Sequence, residues 1–111
     1  MRRPERVARD YIAASNRNDQ EAMVALFAED AEWIPIHPIT PRRGKPAIRE
    51  RYLTQVRDLN APIIDDIYVA DNQRCVVEFT VAHPERGRVA IVDIFDVDRV
   101  GKITRLAVYR R

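Results

Sequence analysis

The stretch Arg88–Val97, RVAIVDIFDV, alternates along its whole length. Val89, Ile91, Asp93, Phe95 and Val97 fall on one side, and Ala90, Val92 and Ile94 on the other. A turn centred on Gly101 follows, and Lys102 to Tyr109 (KITRLAVY) takes up the same period, so the two runs form an antiparallel hairpin. Both sides of the first run are apolar. The side carrying Val89, Ile91, Phe95 and Val97 needs a covering layer, and so does the side carrying Ala90, Val92 and Ile94.

Working back, Cys75–Ala82 reads as a second strong strand and Ile63–Ala70 as a third, separated by turns at Asp71-Asn72 and His83–Gly87. The first half has helical periods instead. Val7, Ala8, Tyr11, Ile12 and Ser15 make one stripe over Pro4–Asn16, with Pro4 suited to the first turn. Asp19 is a good cap for a second helix, with Ala22, Met23, Leu26 and Phe27 as its buried stripe and an end near Glu29-Asp30. Ala31–His37 is a short strand whose Pro35 and the following Pro38 suit a sheet edge. PITPRRGKP is a loop, and the pair Arg42-Arg43 within it is expected to be solvated. Pro46 opens a third helix, Ala47 to about Asp58, with Ile48, Tyr52 and Val56 on one face. The order ααβαββββ predicts one α+β domain over residues 1–111, helices on one face of a curved, mainly antiparallel sheet.

Composition narrows the function classes. The net charge is +2 and the pI about 9.0, with acidic residues interleaved among the basic ones. A nucleic-acid binder is expected to cluster its basic residues, so that class is set aside. No apolar run approaches the ~20 residues of a membrane helix, and the N-terminal arginines lack the apolar stretch of a signal peptide, so a cytoplasmic protein is expected. Cys75 is the single cysteine, in the apolar run CVVEF, and reads as a buried structural thiol. No metal site and no organic cofactor is implied.

Three stretches carry a family resemblance: NDQEAMVALFAEDAEW, RGKPAIRERY and VDIFDVDRVGKITRLAVY. Together they resemble the cone-shaped, cystatin-like superfamily of nuclear transport factor 2, ketosteroid isomerase and the SnoaL-like polyketide cyclases. The resemblance implies three helices on the concave face of the sheet, a pocket between the layers, and pairing of two copies through the outer sheet face. It also implies a small, apolar, carbonyl-bearing ligand. Isomerases of this kind move a proton beside a carbonyl, using a carboxylate base and a Tyr with a protonated Asp as oxyanion donors. Tyr11 and Asp93 resemble those two donors in placement, whereas the position expected to hold the base is Pro35. The superfamily also holds binding modules without catalysis. The epoxide-hydrolase branch needs an Arg flanked by aspartates across two strands, and neither Val76–Val81 nor Leu106–Val108 supplies it.

The residues themselves add to this. Asp93 among apolar neighbours is desolvated, which raises a carboxyl pKa and lets it donate a hydrogen bond or act as a general acid. It reads equally as a buried structural Asp tied to Tyr11 or to the backbone. Tyr11 lies on a buried stripe and is either a core tyrosine or a donor to a ligand oxygen. Alternation puts Trp33, Pro35 and His37 on one face, which makes His37 a candidate displaced base. Trp33, Pro35, Phe27, Phe79, Ile91, Phe95, Leu106 and Val108 are the expected pocket walls. Arg110 shares the parity of Leu106 and Val108 but stands next to last, and is expected at the surface. Glu78 has the outward parity, and His83 is expected to be exposed and inert. The function expected is a small-molecule pocket protein, a proton-transfer isomerase or cyclase, with a non-catalytic binding or dimerisation module as the alternative.

Overall fold

The structure is a computed structural model that describes residues 1–54 and 61–111. Two helices lead, α1 (Arg3–Asn16) and α2 (Gln20–Ala25), followed by strand β1 (Phe27–Ile34), the two-residue β2 (Arg42–Arg43) and helix α3 (Lys45–Thr54). Four strands complete the chain: β3 (Ile63–Ala70), β4 (Arg74–His83), β5 (Gly87–Val97) and β6 (Ile103–Arg110). They form one six-stranded sheet in the order β2-β1-β6-β5-β4-β3. Every neighbouring pair is antiparallel except β1 with β6. The α+β architecture expected from the alternation is therefore present, with the helices over one face.

Several boundaries differ from the sequence reading. Helix α2 stops at Ala25, not near Glu29-Asp30. The Ile103 N–H donates to the Leu26 carbonyl at 2.8 Å and Phe27 pairs with Ile103, so the parallel β1–β6 ladder takes over where the third turn of a helix would lie. Phe27 is thus a strand residue. β1 is not the sheet edge, because Glu32 and Trp33 pair with Arg43 and Arg42; the supposed loop arginines are a short outer strand. Pro35 ends the strand one residue after Ile34, since it has no N–H for the ladder. The third helix begins at Lys45, and the expected continuation through Val56 to Asp58 lies outside the described residues.

Local chemistry sets the joints. The Asp19 carboxylate accepts from the Ala22 N–H at 3.0 Å, the expected cap. Gly44, at φ 88°, donates its N–H to the Ala31 carbonyl at 2.8 Å and passes straight into α3. That left-handed turn favours glycine. At the end of α1, the Asn16 side chain donates to the Ile63 carbonyl at 3.2 Å and accepts from the Ile63 N–H at 2.8 Å, which ties the helix to the start of β3.

Register fixes the two faces. Tyr68, Val77, Asp93 and Val108 form one inward row, and Cys75, Phe95, Leu106 and Trp33 the next. Outward rows are Ile67–Glu78–Val92–Tyr109 and Val69–Val76–Ile94–Ala107. The inward rows and the helix stripes (Val7, Ala8, Tyr11, Ile12, Met23, Ile48, Tyr52) make the core. Cys75 is fully buried there, and burial pushes its thiol up to about 11, which keeps it protonated and inert. Among the described residues no helix is long and apolar enough to cross a membrane.

Candidate functional site

Between α1, α3 and the inward face of β4, β5 and β6 lies a cleft of about 370 Å³. That is enough for a small organic molecule. Its walls are mostly apolar and include Trp33, Pro35, Phe79, Ile91 and Val108, five of the eight expected wall residues. The other three, Phe27, Phe95 and Leu106, are 1%, 0% and 0% exposed and lie beneath the cleft instead of facing it.

The polar groups of the cleft sit together. Tyr11 reaches it from α1 and Tyr52 from α3, and their hydroxyls are 2.5 Å apart. Either oxygen can donate; the accepting hydroxyl keeps its own O–H, the one donor the pair can direct toward a third oxygen. Asp93, 4% exposed, is the only carboxyl among the described lining residues. It projects from the middle of the sheet into an apolar row. Tyr11 packs edge-on to Phe95 at 5.2 Å, and Tyr52 edge-on to Trp33 at 5.7 Å and to Phe27 at 5.8 Å. Five aromatic rings therefore hold both hydroxyls in place. A hydroxyl pair and a carboxyl in a largely apolar wall are what a carbonyl, enol or phenol oxygen requires for recognition.

Tyr11 and Asp93 thus line one cavity, as their sequence positions suggested. Tyr52 joins them. It was legible as a buried-stripe residue of the third helix but carried no mark of a site. His37 does not join them: it is exposed and is not among the lining residues. The strand that was to orient it ends at Ile34, so alternation does not extend to position 37. His83, read as exposed, is half-buried and lines the cleft near the β4–β5 turn. Its Nδ1 accepts from the N–H groups of Glu85 and Arg86, both at 3.0 Å, so the turn itself holds the ring. Arg110 is exposed and Glu78 faces outward, where Arg111 pairs with it at 3.3 Å. Among the described residues, no three His, Cys, Asp or Glu side chains cluster as metal ligands.

A larger concavity, about 920 Å³, lies at the opposite end of the sheet and is lined by Arg3, Asp71, Arg74, Asp96 and Asp98 among others. Arg74 grips Asp96 through Nε at 2.5 Å and Nη2 at 3.1 Å. Asp71 and Asp98 each accept backbone N–H groups of their own turns. These groups shape loops, and the cleft with Tyr11, Tyr52 and Asp93 is the better candidate.

Comparison with known proteins agrees with this fold. The family model of the SnoaL-like domain matches residues 8–106. A protein of known structure from Sphaerobacter thermophilus is 29% identical, with a TM-score of 0.80, over 95% of this chain and 93% of its own. A candidate polyketide cyclase from Pseudomonas putida is 25% identical, with a TM-score of 0.77, over 100% of this chain and 92% of its own. A candidate ketosteroid isomerase from Kribbella flavida, at 19% identity, shares the fold with a TM-score of 0.82 over 98% of this chain and 78% of its own.

Proposed function

Since the chain belongs to the SnoaL-like domain family, we propose that its cleft binds a small apolar carbonyl compound and moves a proton beside the carbonyl. The observation that carries this reading is the hydrogen-bonded Tyr11–Tyr52 pair opening into the same apolar cleft as the buried Asp93. In this scheme the tyrosine pair donates to the carbonyl oxygen and stabilises it as negative charge develops. Asp93 exchanges the proton of the adjacent carbon. This changes the role expected from the family resemblance, in which Asp93 was a second donor. The reason is Pro35, which lines the cleft and has no proton acceptor, and His37, which points to solvent. Asp93 is left as the acidic group inside the described walls.

The test uses 2-tetralone and its enol mimic 2-naphthol. The wild-type chain is expected to accelerate deuterium exchange at the ketone's α-carbon and to bind 2-naphthol. Asp93→Asn is expected to lose the exchange by about a hundredfold or more, the usual scale of general acid–base catalysis. Equal exchange rates for both proteins would refute the role of Asp93. Pro35 at the base position also supports a second reading, a binding module without catalysis. That reading predicts 2-naphthol binding with no exchange above background.

The same reading includes pairing of two copies through the outer sheet face. The row Ile67–Glu78–Val92–Tyr109 supports it, with Ile67 60% and Tyr109 50% exposed. Sedimentation should show a dimer that Val92→Asp dissociates; a wild-type monomer at micromolar concentration would end this part.

A further inference from the structure

Two arginines of α3 differ in their surroundings. Arg49 points outward and is held by Glu21 through two nitrogens, at 2.7 and 2.5 Å. Arg51 is two residues further on, about 200° around the helix. It lines the cleft, is half-buried, and sets its guanidinium 5.7 Å from the centre of the Trp33 ring. Among the described residues, no carboxylate lies within 4.0 Å of its nitrogens, Asp93 included. Several other arginines do have a carboxylate partner: Arg9 has Glu5, Arg74 has Asp96, Arg105 has Glu32 and Arg111 has Glu78.

A guanidinium leaning on an indole is oriented at little entropic cost, and a half-buried position strengthens its pull on an anion. The same cleft is also lined by the apolar side chains of Ile36 and Ile39. Arg51 is the one arginine or lysine among the described lining residues, and a carboxyl already occupies the same cleft, so a monoanion suits the site better than a phosphate dianion.

We propose that Arg51 is a specificity-determining residue that binds a carboxylate on the ligand, so that the preferred ligand is an apolar carboxylic acid or keto acid. This rests on the reading of the cleft as a small-molecule site. The ligand would then meet Arg51 beside Trp33 as well as the Tyr11–Tyr52 pair and Asp93 within one cleft.

Calorimetric titration at pH 7 with 2-naphthoate and with methyl 2-naphthoate tests it. The two probes share their ring system and differ in charge. Wild type is expected to bind the acid about tenfold or more tighter than the ester, as a charge-assisted contact requires. Raising the salt concentration should shrink that preference. Arg51→Gln should abolish it by weakening the acid alone, and Arg51→Lys should keep part of it by retaining the charge without the fork. Thermal melts of both variants establish that they are folded. Equal binding of acid and ester by wild type, with both binding, overturns the role of Arg51 and leaves the cleft reading standing. So does Arg51→Gln that keeps the preference or weakens both probes alike. Failure of both probes to bind wild type, or binding of the ester without the acid, overturns this proposal, and the first of these outcomes overturns the cleft reading with it.

Discussion

The two concavities of the sheet are opposites in chemistry. The wide one, at the β3–β4 and β5–β6 turns, holds many charges, and its described lining carboxylates are engaged: Asp96 with Arg74, and Asp71 and Asp98 with backbone N–H groups. The narrow one holds few polar groups, but they point inward from apolar walls, and Arg51 among them has no carboxylate beside it in the described structure. Size is thus a poor guide to function here. What separates the two is whether polar groups are spent on holding a loop or directed at space that a ligand can fill.

The contrast can be broken at its base. Phe95, fully buried below the cleft, supports Tyr11 from the strand that also leads into the wide groove. Phe95→Ala should cost about 3–5 kcal/mol in urea denaturation and erase ligand binding with it. Filling the narrow cleft is a cleaner cut. Ile91→Trp should weaken 2-naphthol binding by at least about tenfold with the fold retained by circular dichroism, because it occupies the ligand's volume. Tyr52→Phe removes one hydroxyl of the pair and should cost about 1 kcal/mol of stability, the usual net value of such a bond. Arg74→Ala in the wide groove should change stability only slightly in urea denaturation, because solvent screens that pair, and should leave 2-naphthol affinity unaltered. A loss of binding there would mean that the two regions are not independent.

The smallest effect is a pH slope. The N–H groups of Gln73 and Arg74 hold the Asp71 carboxyl below its ordinary value. A depressed carboxyl contributes stability above its unfolded value, near 4, and loses it as pH falls through the lower folded value. Melting temperature followed from pH 5 to pH 2 should therefore drop less steeply for Asp71→Asn than for wild type.

Much of this was written in the residue pattern. The period-two run from Val89 to Val97 fixes which way Asp93 faces, because a strand in the middle of a sheet has neighbours that enforce its pleat. The stripe on the first helix likewise places Tyr11. Pattern failed where the element itself ended. His37 lies beyond the last paired residue of β1, so no ladder constrains it. Phe27 fitted a helical stripe, but a parallel partner 76 positions away (103 − 27) claimed it for a strand. Tyr52 and His83 show a different limit. Their positions were legible, but their meeting with Tyr11 or with the cleft depends on layer packing, which no local period encodes. Arg51 is the same case: in the sequence it is one more arginine in an arginine-rich helix.

One feature of the topology bears on how the molecule comes into being. Trp33 and Val108 both line the cleft, and their strands meet in the parallel β1–β6 ladder, where Trp33 pairs with Leu106. The intervening 73 positions (106 − 33) make this closure slow relative to the local β4–β5 hairpin. Before it happens there is a helical layer and a meander, but no cup. A small molecule that occupies the finished cleft can therefore recognise only chains whose last strand has docked, and it shifts the folding equilibrium toward them by mass action.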